Sequence, residues 1–120
     1  MKFVDGLKMI VNNVPGSLGA SINGLDGLII AEYKKTPNSE LDFTLIGAEM
    51  TSLLKRAVKT TDDIHMGPLQ EITLMDRNKA LIMKTINEEY YLLLALDSFG
   101  NIGKGRYELK KAVFLFEKEF

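Results

Sequence analysis

The residues of this 120-residue chain that most invite a chemical reading are Gly100-Asn101-Ile102-Gly103-Lys104-Gly105. A glycine-rich turn between a strand and a helix can cradle a phosphate, because backbone N–H groups converge there and the helix dipole favours an anion. The spacing departs from that of a phosphate loop. Such a loop has four residues between its first glycine and the Gly-Lys pair, then a hydroxyl residue for magnesium. Here two residues separate Gly100 from Gly103, and Gly105 follows Lys104. The pattern reads as a tight turn in which Asn101 caps the last helix. His65, the single histidine, lies in a polar loop beside Met66-Gly67-Pro68, with no second metal ligand at a useful spacing. Asp62-Asp63 and Glu88-Glu89 are adjacent pairs in turns and read as solvated charge rather than an acid–base couple. Without cysteine there is no disulfide, thiolate metal site or thiol nucleophile. The expectation is a non-enzymatic chain with no cofactor and no metal.

Hydrophobic residues make up 46% of the chain and charged residues 26%, which suits a water-exposed globular domain. The net charge of −1, with Lys and Arg spread along the chain, argues against nucleic acid or an anionic membrane as the main partner. No apolar run reaches membrane-spanning length, and Asp5 and Lys8 interrupt any secretory leader, so a cytoplasmic location is expected. One domain over residues 1–120 is long enough to bury about two thirds of its unfolded surface.

Local patterns give the order helix, two strands, long helix, three strands, helix. Val4, Leu7, Val11 and Val14 follow helical spacing, and Pro15-Gly16 ends that helix. Residues 18–22 and 28–33 read as strands of a hairpin around Asn23-Gly24-Leu25-Asp26-Gly27, residue types that accept positive φ. Residues 69–75 alternate apolar and polar, and 80–86 follow after a turn. Residues 90–96, YYLLLAL, are apolar at nearly every position, as in a central strand buried on both faces. Residues 106–120 form the last helix, with Leu109, Ala112, Val113, Phe116 and Phe120 on one face. The fold class is α+β: a five-stranded, largely antiparallel sheet with helices on both sides.

Residues 39–60 read as the longest helix, with Ser39 as N-cap and Asp42 completing a capping box. Glu40 and Asp42 near its start and Lys55, Arg56 and Lys59 near its end suit the macrodipole. Phe43, Ile46, Met50, Leu53, Leu54, Ala57 and Val58 make one broad apolar stripe. Across the helix lie Leu41, Leu45, Ala48, Glu49, Ser52, Lys55, Arg56 and Lys59, an apolar centre with a polar rim. Either a loop or another helix covers Leu41 and Leu45, or the row faces solvent and is a subunit or partner contact.

Several signatures together resemble the Roadblock family, the dynein-light-chain type: Pro15-Gly16 with Gly19-Ala20, Leu25-Asp26-Gly27-Leu28 in the hairpin, the long helix after a polar loop, and Asn101-Ile102-Gly103 opening the last helix. The Pro-Gly…Gly-Ala and Leu-Asp-Gly-Leu pattern is similar to the prokaryotic branch. The resemblance implies a sheet with the long helix on one face and the two terminal helices on the other. It implies a homodimer paired through residues 41–60 and 69–75, with Phe43, Gly47, Met50, Thr51, Leu54, Val58, Ile72 and Leu74 at the interface. It also implies a Ras-like small GTPase as partner, no catalytic residues, and neither nucleic acid nor membrane insertion. Two other readings stay open: an adaptor in a larger assembly with no effect on GTP turnover, and a small-molecule sensor.

Overall fold

In a computed structural model, which describes residues 2–37 and 39–120, α1 (Lys2–Asn13) is followed by β1 (Ser17–Gly24), β2 (Ile29–Lys34) and α2 (Phe43–Asp63). Then come β3 (Glu71–Met75), β4 (Lys79–Thr85), β5 (Tyr90–Asp97) and α3 (Ile102–Glu117). The strands form one antiparallel sheet in the order β2-β1-β5-β4-β3. Strand β5 is central, and it is buried from Tyr91 to Leu96. Its unbroken apolar run has the stated cause: side chains alternate across the sheet, and both faces of β5 are covered.

The two faces hold two separate cores. Leu92, Leu94 and Leu96 point to the side of the terminal helices, where they meet Leu7, Ile10 and Val11 of α1 and Leu109, Ala112 and Phe116 of α3. Tyr91, Leu93 and Ala95 point to the other side and meet Phe43, Met50 and Leu54 of α2. This is the architecture expected, a single α+β domain with the long helix on one face and the terminal helices on the other. Val4 is the exception in α1: it is exposed, one position off the buried stripe of Leu7, Ile10, Val11 and Val14.

Helix α2 begins later than its sequence suggested. Its N-cap is Asp42, whose carboxylate accepts from the backbone N–H of Thr44 (3.0 Å) and Leu45 (3.2 Å), while Ser39 lies outside the helix. The helix also runs past residue 60 to Asp63, so Lys55, Arg56 and Lys59 precede its last turn. The end is a Schellman motif, with Met66 N–H on the carbonyl of Thr61 and His65 N–H on that of Asp62. His65 takes the left-handed position there, φ 61.

Small residues let α2 approach the sheet closely. On its side, β1 presents Gly19, Ser21 and Asn23. A methyl on Gly19 would lie 2.8 Å from the carbonyl oxygen of Tyr33 and 3.0 Å from the Phe43 ring. One on Gly47, in α2 itself, would lie 2.6 Å from Nδ2 of Asn23. A glycine inside a helix costs about 1 kcal/mol against alanine, so its place here is set by the packing distance. Most of the polar groups trapped beneath the helix bond to one another, while Asn23 Nδ2 has no hydrogen-bond partner among the described residues. Ser21 Oγ lies 2.6 Å from Asn23 Oδ1, and the hydroxyls of Thr51 and Tyr91 are 2.7 Å apart. Burial pushes the Tyr91 phenol above its ordinary value, against the opposing pull of the Thr51 hydrogen bond.

On the other face, Glu108 ties α3 to the end of α1. Asn13 Nδ2 donates to its Oε1 at 3.3 Å, and Lys104 and Lys111 lie 3.4 and 3.3 Å from its Oε2. Burial works against ionisation of Glu108, but the Asn13 bond and the two lysines outweigh it and hold the carboxyl below the usual range.

Two outcomes follow. Gly19→Ala should lower stability by about 2 kcal/mol, the usual cost of overpacking against backbone, measured by urea unfolding; an unchanged midpoint would refute the close approach. The folded-state pKa of Glu108 is depressed, so its contribution is complete above the unfolded value of about 4.3 and is lost as pH falls through the folded one. Glu108→Gln should therefore cost about 1–2 kcal/mol at pH 7 and clearly less at pH 3, read from paired urea curves.

Candidate interaction surface

The sequence-predicted residues divide sharply by exposure. Phe43, Gly47, Met50, Thr51 and Leu54, expected at a dimer interface, are buried against the chain's own sheet. They are core, and as the chain is folded they offer no surface to a second copy. Val58 is partly exposed but lines a cleft with Leu25 and Met66 near the C-terminal end of α2. Ile72, half-buried, and Leu74, 49% exposed, lie on the edge strand β3, where a second copy could reach them. The periodicity of α2 marked a buried stripe correctly, but spacing alone cannot say whether a sheet or another chain buries it.

The outward row fares differently. Leu41 is 7% exposed and packs in the core under α2, because it precedes the helix and does not lie on its outer side. Leu45 is 59% exposed, and Ala48, Glu49, Ser52, Lys55, Arg56 and Lys59 are all exposed along α2. Lys59 pairs with Asp63 at 2.8 Å, a solvent-facing bridge worth little. Among the described residues no carboxylate stands within ion-pair distance of Arg56.

Beside α2 lies a band that joins the expected edge-strand residues Ile72 and Leu74 to Leu81 of β4, which the sequence did not single out. On that face Leu81 of β4 pairs with Leu74 of β3, and Met83 with Ile72, so these side chains point to the α2 side. The helix does not reach across to them fully. A cleft of about 730 Å³ remains, lined by Leu45, Ile46, Leu74, Met75 and Leu81. Leu53, on the same side of α2 as Ile46, is 38% exposed. Beyond the cleft, β3 is the last strand of the sheet, so its outer backbone groups have no strand partner. Leu53 stood in the apolar stripe and Met75 at the end of the strand read from sequence; that both stay exposed beside the cleft shows only in the folded chain.

The motifs weighed for chemistry take structural places. Asn101 caps α3, its Oδ1 accepting from Lys104 N–H at 2.9 Å. Its own N–H bonds to the carbonyl of Pro15, and Gly100 packs against Gly16 and Leu96. The loop is a packing turn that joins the start of α3 to the end of α1. His65 is exposed at the end of α2. Among the described residues no cluster of His, Asp or Glu could hold a metal, and no helix is long and apolar enough to cross a membrane.

No protein-family model matches the chain. Two uncharacterised proteins of Methanocaldococcus jannaschii are each 28% identical to it over 109 residues, 91% of this chain and 92% of theirs. The crystal structure of MglC from Myxococcus xanthus is 30% identical, with both chains covered completely and a TM-score of 0.72. The Roadblock/LC7 domain from Streptomyces avermitilis matches the fold at a TM-score of 0.86, with 97% of this chain and 95% of that one covered, at 15% identity. The chain belongs to the Roadblock/LC7 family. In this Roadblock domain the Pro15-Gly16 and Asn101-Ile102-Gly103 signatures are thus two halves of one contact, the turn after α1 held against the turn before α3.

Proposed function

We propose that this Roadblock domain acts as a two-fold homodimer that forms a binding platform for a Ras-like small GTPase, regulating or scaffolding it without catalysing a reaction itself. The observation that carries the proposal is the uncovered apolar band formed by Ile46, Leu53, Ile72, Leu74 and Leu81 beside an unpaired strand edge. An exposed edge with an apolar flank is a template for pairing, and a second copy of β3 is the simplest strand to fill it. Antiparallel pairing of two β3 edges would join the sheets and lay the band of each copy against the other. A stable dimer needs about 1,600 Å² of buried surface or more, which the strands alone would not supply and the flanking side of α2 would.

With that band covered, the outer row of α2 is left in solvent: Leu45 and Ala48 with Glu49, Ser52, Lys55, Arg56 and Lys59. Two such rows, related by the two-fold, make one platform with an apolar middle and a charged rim. The class of partner follows from the family resemblance. The row holds no constellation for hydrolysis, so the proposed action is to hold the GTPase's own switch segments in one arrangement.

Leu74→Glu places a charge on the apolar side of the pairing strand and should convert the dimer to monomer in size exclusion with light scattering at micromolar protein. A wild-type monomer, or a dimeric variant, would refute pairing through this edge. Leu45→Asp with Lys55→Glu, in protein that remains dimeric, should weaken binding of the cognate GTPase by about tenfold or more, 1.4 kcal/mol. Unchanged affinity would place the partner elsewhere.

A further inference from the structure

The outer side of the terminal helices carries a second exposed face that the dimer and the GTPase platform do not use. Along α3, Tyr107, Phe114 and Leu115 are all more than half exposed, Phe114 to 69%. Phe99, in the turn before α3, is 93% exposed, and Met9 of α1 is 61% exposed. Met9 lies three residues from Gly6 and four from Asn13, the α1 positions that meet Phe116 and Glu108 of α3, so it borders the seam between the helices. Lysines interleave these apolar side chains. Lys104, Lys111 and Lys118 recur every seven residues and so share one side of the helix. The ammonium groups of Lys104 and Lys111 stand 5.3 and 4.9 Å from the centre of the Tyr107 ring. The one acid within that stripe, Glu108, is buried and occupied by Asn13 and the two lysines.

Charge is divided between the segments. Residues 1–14 and 98–120 contain seven Lys and Arg against four Asp and Glu, whereas residues 15–97 contain eight against twelve. The net charge of −1 therefore averages basic terminal-helix segments and an acidic remainder.

We propose that this face of α3, with the adjoining side of α1, adsorbs to an anionic lipid surface. Aromatic and aliphatic groups alternating with lysines are the chemistry of the membrane interface: the apolar parts enter the headgroup boundary while the ammonium groups reach lipid phosphates. The contacts run from Phe99 to Lys118, and a helix of 16 residues is about 24 Å long. That breadth suits a plane. The cations are lysines on the outer side, point charges suited to a diffuse anionic surface rather than the forked arginines that grip individual carboxylates of an acidic peptide.

The test is co-sedimentation of the full chain with vesicles of phosphatidylcholine containing about a third phosphatidylglycerol, beside vesicles of phosphatidylcholine alone. The expected result is partition to the anionic vesicles only, lost at high salt. Phe114→Ser with Lys118→Glu, both on exposed positions, should weaken it about tenfold with unchanged circular dichroism, and Lys35→Glu on the opposite end of the sheet should leave it as it was. No partition to anionic vesicles overturns the proposal. So does equal binding by the double variant, equal binding to neutral vesicles, or retention on polyglutamate without vesicle binding, which would assign the face to an acidic protein.

Discussion

The structure depends on a mismatch of widths. Five strands spaced about 4.8 Å apart make a sheet roughly 24 Å across, and an α-helix with its side chains is about 10 Å wide. Two helices, α1 and α3, cover one face. One helix, α2, cannot cover the other. It packs most closely on β1 and β2, and the shortfall falls on β4 and β3, at Leu81, Ile72 and Leu74. The apolar band is thus a remainder of this arrangement of elements.

Where α2 settles is decided by small and polar groups beneath it. Gly19 and Gly47 allow a close approach that a methyl at either would obstruct. Thr51 and Tyr91 then join hydroxyls across the interface, and the Tyr91 hydroxyl also donates to the carbonyl of Gly47 at 3.3 Å. A buried hydroxyl left without a partner costs about 1–3 kcal/mol, so rotating the helix about its axis is opposed by more than lost packing. That fixed rotation is what places Leu45, Ala48, Glu49 and Ser52 outward in a row. Asp42 at the start and the Schellman turn at His65 limit the helix lengthwise.

Both proposed surfaces are assigned a role by contact, and the glycine-rich turn has a structural one. Its residue types invite a phosphate, yet its backbone is spent on Asn101's cap and on the turn after α1. The charge of the chain carries a similar lesson, since a balance near zero coexists with a lysine-rich face on α3 and an acidic remainder.

Much of the fold was legible in the residues themselves. The unbroken apolar run of β5, the Asp26-Gly27 turn of the hairpin, the Asn101 cap and the two-helix, one-helix layering are local signals or family signatures, and local signals survive in one dimension. Asn23-Gly24, read as part of the turn, lies instead inside β1, because Asn23 pairs with Tyr91 beneath α2. The sequence also marked α2 as a helix with two faces. What it could not decide was the partner of each face. Phe43, Met50 and Leu54 have the spacing of any buried stripe, and only the tertiary structure shows that the chain's own sheet buries them. Leu41 was placed on the helix when it precedes the cap, because Ser39 and Asp42 are both good N-caps and the choice between them rests on where the chain must enter the core. Leu53, Ile72 and Leu74 each stood in an apolar pattern of the sequence, but nothing there showed that they adjoin one another in a band only partly covered. The band arises from the distance between a helix and a strand edge, and that distance exists only once the sheet has formed.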